Sequence, residues 1–215
     1  MGYTTMDGQR EVLVLGIGNL LWADEGFGVR AVEALNQAFR FPAGVELMDG
    51  GTLGLSLLPY IETSRRVLVF DAVDFGLPPG GLKVLRDAEV PAWGARKMSP
   101  HQNGFNDVLA LAHLHDCAPE QIIAIGVQPL TLDDFGGSLT EPVRARLDEA
   151  VALAAAELAD WGFAGEPRAD SEPADPLHAD SVALTAYEGE RPTEDAACRI
   201  GDARLLEIRQ RAGGQ

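Results

Sequence analysis

Apolar positions along the chain follow two rhythms. Val12, Leu13, Val14 and Leu15 form an unbroken apolar run stopped by Gly16, which predicts a buried strand. Val29, Val32, Leu35 and Phe39 then recur at intervals of three and four, the spacing of a helix with one buried face. Residues 45–48 (Val, Glu, Leu, Met) alternate like a strand and stop at Asp49, Gly50 and Gly51. A short helical stretch is predicted over 53–61. Residues 67–70 (Val, Leu, Val, Phe) make the clearest buried strand, ending at Asp71. Strand, helix, strand, helix, strand is the order of a parallel sheet built from βαβ units.

The second half continues the pattern. Gly80 and Gly81 precede 82–85, a strand expected at a sheet edge. A loop with Pro91, Trp93 and Gly94 leads to Ser99, Pro100 and His101. Residues 105–115 read as a helix burying Phe105, Val108, Leu109, Leu111 and Ala112, with Asn103 as a candidate N-cap. Residues 121–125 read as another buried strand. Thr140 with Pro142 opens a long helix to about Trp161, since proline fits a first helical turn. The expected fold is therefore a single α/β domain over 11–163. It has three layers, a twisted and mostly parallel sheet with helices on both faces. Residues 1–10 read as a flexible N-terminus. Residues 164–215 read as an acidic, partly disordered extension, because 165–180 are rich in Pro, Ala, Asp and Glu and poor in large apolar side chains. Leu205, Leu206 and Ile208 give 200–211 the spacing of a short helix.

Composition narrows the partners. With 215 residues and 46% apolar side chains, the chain can bury a sizeable core. No apolar run approaches the ~18 residues of a membrane span, and the first ten residues lack an apolar signal core. The cytoplasm is the expected compartment. A net charge of −16 repels phosphate backbones and anionic membrane surfaces, so neither nucleic acid nor membrane is an expected partner. Cys117 and Cys198 form no C-x-x-C pair, and Cys117, at the end of an apolar helical stretch, is expected to be packed there.

Open parallel sheets bind ligands beyond the carboxyl ends of their strands. Asp24 and Glu25 follow the first predicted strand, Asp49 the second, Asp71 and Asp74 the third, and His101 precedes a later helix. Carboxylates and an imidazole far apart in sequence thus point to one crevice. Such donors suit nickel or zinc, and two carboxylates can also serve as general acid and base without metal. Local readings stand beside these. Gly16 and Gly18 can simply permit a tight turn, Asp24 can cap a helix starting near Gly26, Glu25 can favour that helix N-terminus, and Asp49 can be a turn residue. Asp71, abutting an apolar strand, needs a reason for its charge. His113 reads as structural or solvated, and His115 and His178 as solvent-exposed. Leu21 stands where the third glycine of a dinucleotide fingerprint belongs, and no P-loop or G-x-S-x-G elbow is present.

The stretch 15–30, Leu-Gly-Ile-Gly-Asn-Leu-Leu-Trp-Ala-Asp-Glu-Gly-Phe-Gly-Val-Arg, resembles the opening motif of the nickel-iron hydrogenase maturation endopeptidases. Residues 49–54 and 57–61 resemble that family's second block, 70–76 its third and 99–102 its fourth, in order from about Val12 to Trp161. The resemblance implies removal of a C-terminal peptide from the precursor of the hydrogenase large subunit after nickel insertion. It implies metal contact by Glu25, Asp71 and His101, with Asp71 also serving the reaction. Asp49 would act in cleavage or substrate recognition. Nickel would arrive with the substrate, and a monomer is expected. A non-catalytic nickel-binding chaperone module and a metal-dependent small-molecule amidohydrolase are the competing readings.

Overall fold

The structure is a computed structural model that describes residues 10–90, 100–169, 172–179 and 182–189; for 100–103 it describes the backbone alone. The elements run β1 (Arg10–Ile17), a 3-10 turn (Ala23–Gly26), α1 (Phe27–Ala38), β2 (Phe39–Arg40), β3 (Val45–Gly51), a second 3-10 turn (Gly54–Leu57) and α2 (Leu58–Glu62). They continue with β4 (Ser64–Ala72), β5 (Leu82–Arg86), α3 (Pro100–Leu114), β6 (Gln121–Val127), α4 (Glu141–Arg144), α5 (Leu147–Asp160), β7 (Glu166–Pro167) and α6 (Leu184–Gly189).

Five strands form one sheet in the order β3-β1-β4-β6-β5. β1 pairs in parallel with β3 and β4, and β4 with β6, while β5 lies antiparallel on the β6 edge. Alternation inside the unbroken apolar runs explains the three layers. Val12 and Val14 of β1 pack on one face with Val32 and Leu35 of α1 and Val151 and Leu158 of α5. Leu13 and Leu15 point to the other face and meet Ile61 of α2 and Phe105, Val108 and Leu109 of α3. A strand covered on both faces needs apolar residues at every position, so it shows no polar alternation. The α/β three-layer fold read from the sequence is the fold observed.

Several boundaries move. β1 begins at Arg10, which pairs with Ser64, and β3 runs through Asp49 to Gly51. β4 includes Asp71. The long helix expected from Thr140 is two helices, α4 and α5, with Arg146 at the N-cap of the second. α3 starts at Pro100, so His101 lies in a first helical turn rather than in the loop before it. Cys117 is exposed, because the chain has already left α3 and turned at Asp116, whose φ is 56°.

The described residues after Phe163 make specific contacts with β2 and α1. Glu166 and Pro167 pair with Arg40 and Phe39 as a two-stranded ribbon. The Arg168 Nε donates to the Asn36 and Phe39 carbonyls at 2.9 and 3.2 Å, and the Asn36 amide donates to the Asp175 carbonyl at 2.8 Å. Leu177 packs against the α1 and α5 core cluster. Described residues of 166–189 thus form a strap along α1. The strap is held chiefly by backbone carbonyls and charged side chains, which leave no hydrophobic periodicity in the sequence. The 200–211 stretch and residues 1–9 lie outside the described residues.

Candidate active site

β1 connects through α1 to β3 on one side, and β3 connects through α2 to β4 on the other side of β1. This reversal makes the carboxyl ends of β1 and β4 the topological switch point, where open sheets form a crevice. Two glycines let α1 approach it closely. A Cβ at Gly16 would stand 2.3 Å from the Gly28 carbonyl oxygen, and one at Gly28 would stand 2.3 Å from the Phe70 oxygen. Gly18, at φ 142°, lies so near the Glu25 carbonyl that a Cβ would stand 1.9 Å from it. The Asn19 N–H donates to that same carbonyl at 3.1 Å. The glycine-rich turn therefore folds back on Glu25 and fixes its backbone beside the strand ends.

Asp71 is the penultimate residue of β4, 2% exposed, beside Gly126 of β6. Its Oδ1 accepts from the Ala72 N–H at 2.7 Å. Asp49 sits at the same end of β3, paired with Gly16. Gly104, three residues beyond His101, lies against the Cα of Gly54 at the distance where a Cβ would touch it, 3.3 Å. The N-terminal part of α3, which carries His101, thus packs on the segment that follows β3. Glu25, Asp49 and Asp71 lie at the strand-end edge on three other elements. The His101 side chain lies outside the described residues, and among the described residues no three His, Cys, Asp or Glu side chains gather to hold a metal. The donor types themselves, carboxylate oxygen with an imidazole, fit nickel.

Burial, aided by nearby Asp133, pushes the Glu25 carboxyl up to about 7 from 4.5. Burial also raises Asp49, partly offset by His178, the Gly51 N–H and Arg30. A raised carboxyl holds in the folded state a proton that the unfolded chain releases. The stabilising contribution of Glu25 is complete below about pH 4.5 and is lost as pH rises through about 7. Glu25→Gln, neutral throughout, should therefore gain stability relative to the parent as pH goes from 5 to 8. Thermal melts across that range check it, and parallel curves would contradict it.

Asp24 neither caps α1 nor faces the crevice. It is fully buried. Its Oδ2 accepts from the N–H groups of Leu130 and Thr131 at 2.8 and 3.1 Å, and its Oδ1 from the Thr140 N–H at 2.7 Å. The Thr140 hydroxyl donates as well, 2.9 Å from either oxygen. Asp24 thus pins the loop after β6, which brings Asp133 near Glu25. No local sequence feature reveals this, because the partners lie 106 to 116 residues away. His178 is also unlike its expectation: its side chain is 10% exposed. Arg30 and Glu33, buried on α1, were legible only as a charged pair spaced three apart within an apolar helix.

The rim around these residues is apolar. Leu21, Leu53, Leu55, Leu77, Leu130 and Phe135 are exposed, and each lies in a segment that follows β1, β3, β4 or β6, Leu55 within the second 3-10 turn. These loops are tied to one another. The Gly18 N–H donates to the Gly51 carbonyl at 3.0 Å and the Gly136 N–H to the Leu21 carbonyl at 2.7 Å.

The family model of the HycI hydrogenase maturation proteases matches residues 29–157. The chain belongs to the hydrogenase maturation protease family. Among its relatives, hydrogenase expression/formation protein HupM of Azotobacter chroococcum mcd 1 is 55% identical over 197 residues, 91% of this chain and 93% of the relative. The hydrogenase 2 maturation protease of Escherichia coli K12 is 40% identical over 158 residues, 73% of this chain and 96% of the relative. The solved structure of the hydrogenase maturating endopeptidase HybD from E. coli superposes with a TM-score of 0.72 at 40% identity, covering 75% of this chain and all of that one. The match to HupM is long enough to run well into the strap after Phe163. As a maturation protease the chain is a hydrolase of peptide bonds. No helix among the described residues is long and apolar enough to cross a membrane.

Proposed function

We propose that this maturation protease removes a C-terminal peptide from the nickel-loaded precursor of a nickel-iron hydrogenase large subunit. It acts in the cytoplasm as an aspartic-type endopeptidase. The observation that carries the reading is the buried Asp71 carboxylate at the switch point, on the same strand-end edge as Glu25 and Asp49, with the part of α3 that carries His101 packed on the segment that follows β3. The apolar rim supports a polypeptide substrate over a small polar molecule, since Leu21, Leu53, Leu55, Leu77, Leu130 and Phe135, exposed on segments that follow the strands, offer apolar contacts there, whereas Leu114 stands apart at the end of α3.

In this reading the nickel is part of the substrate, and Glu25, Asp71 and His101 contact it. Only a loaded precursor then seats fully. Nickel near the scissile bond polarises its carbonyl. Asp49, made a stronger base by its burial, takes the proton of the attacking water. Water oxygen bonds to the carbonyl carbon, the C–N bond breaks, and the proton passes to the departing amine.

Mass spectrometry of nickel-loaded and nickel-free precursor after incubation with the protein tests this. Cleavage of the loaded form alone is expected. Equal cleavage of both would remove nickel recognition, and cleavage of neither would remove the processing function.

A further inference from the structure

The strap ends in α6, and α6 meets the segment that follows β6. The Ser138 hydroxyl donates to Glu188 Oε1 at 2.5 Å. The Arg144 guanidinium pairs with the same carboxylate, its Nη1 lying 3.1 Å from Glu188 Oε2, and its Nη2 donates to the Ser138 oxygen at 3.2 Å. Ser138, Arg144 and Glu188 thus close a triangle in which each touches the other two. The Tyr187 hydroxyl adds a longer bond to the Gly137 carbonyl, at 3.4 Å. α6 has a footing of its own on α1. There the buried Arg30 donates to the Val182 carbonyl at 2.6 Å, and its guanidinium stands 5.6 Å from the centroid of the Tyr187 ring.

Asp24 holds the segment after β6 near its two ends, through the N–H groups of Thr131 and Thr140. α6 acts on the part in between. The chain turns tightly there, with the Gly137 N–H on the Asp134 carbonyl at 2.9 Å. The Gly136 N–H reaches the Leu21 carbonyl at 2.7 Å, and the Phe135 ring stands edge-on to Trp22 with centroids 5.2 Å apart. The Trp22 carbonyl accepts from the Glu25 N–H at 3.0 Å. Leu21, Trp22 and Phe135 therefore form a lip beside Glu25, with Leu21 and Phe135 exposed. Polar contacts at Gly137 and Ser138 fix where the apolar Phe135 ring stands a few residues earlier.

We propose that Glu188 is a positioning residue for the substrate. Through Ser138 and Arg144 it holds the lip of Leu21, Trp22 and Phe135, against which the polypeptide of the precursor lies before cleavage. A lip already in place spares the complex the cost of ordering it on binding. Its loss therefore weakens binding and leaves the chemical step alone. The inference rests on the processing reading above.

The test uses the full chain with Glu188→Ala, Glu188→Gln and Ser138→Ala. Glu188→Ala should raise KM for nickel-loaded precursor about tenfold, with kcat within about twofold of the parent. In the free protein, hydrogen exchange at the Gly136 amide should quicken about tenfold, because that donor leaves the Leu21 carbonyl more often. Glu188→Gln keeps an acceptor for Arg144 and should return both quantities most of the way to the parent. Ser138→Ala removes one corner of the triangle and should move both in the same direction by less. A lowered melting temperature with KM and Gly136 exchange unchanged would mean that Glu188 only fastens the strap, and would overturn the proposal. Faster exchange with an unchanged KM would overturn it too, as would a raised KM with unmoved exchange. The exchange measurement needs no substrate. Failure of the parent chain to cleave precursor would therefore sink the processing reading, while exchange at Gly136 would still decide whether α6 holds the lip.

Discussion

Asp71→Asn should lose precursor processing by about a thousandfold or more while keeping the parent's circular dichroism and melting temperature. The substitution changes charge and little else. The carbonyl oxygen of the new side-chain amide can still accept from the Ala72 N–H, as Asp71 Oδ1 does at 2.7 Å, and the packing around a 2% exposed position is undisturbed. An amide donates protons where a metal contact requires a lone pair, and it can neither accept nor hold the negative charge that general acid–base chemistry uses. Processing assayed by mass spectrometry gives the answer. Activity near the parent's would remove Asp71 from the site and leave its buried charge with a purely structural role.

Asp24→Ala should destabilise the protein by about 3–5 kcal/mol, since the N–H groups of Leu130, Thr131 and Thr140 each lose their acceptor at a cost of roughly 1–3 kcal/mol. In a chain of this size that corresponds to a melting temperature lower by about 10 °C. The loop after β6 should loosen with it, which hydrogen exchange at Leu130, Thr131 and Thr140 would show directly. A melt within a degree or two of the parent would mean that water satisfies those groups without Asp24. The prediction separates two neighbouring acids in one motif. Asp24 acts through structure, whereas Glu25 next to it is half-buried and keeps its titration near neutrality.

The layers of the fold were legible because burying both faces of a parallel strand demands unbroken apolar runs, and α1 demands a three-and-four spacing. Both requirements are local, so both are written in neighbouring residues. The placing of acids at the strand ends was legible to the same extent. Glu25, Asp49 and Asp71 each follow or end an apolar run, and the rule that ligands meet the carboxyl ends of strands applies before any distance is known. Strand ends were less legible. β3 and β4 extend through Asp49 and Asp71 because pairing with β1 and β6 continues past the last apolar residue. His101 joined α3 because proline at a helix start fixes φ without losing a needed donor.

By itself, then, the sequence determined the layers, the succession of the main strands along the chain, the family motifs and the identity of the acids at the strand ends. Tertiary structure alone decided what those acids face. Asp24 became a pin because residues more than a hundred positions away fold over it. His178 became a neighbour of Glu33 because a polar strap lies along α1. Hydrophobic burial leaves a periodic trace in the chain, since each element must face a core. Hydrogen bonds and charge pairs between distant segments leave none, since one polar residue can meet any partner that the folded backbone brings within reach.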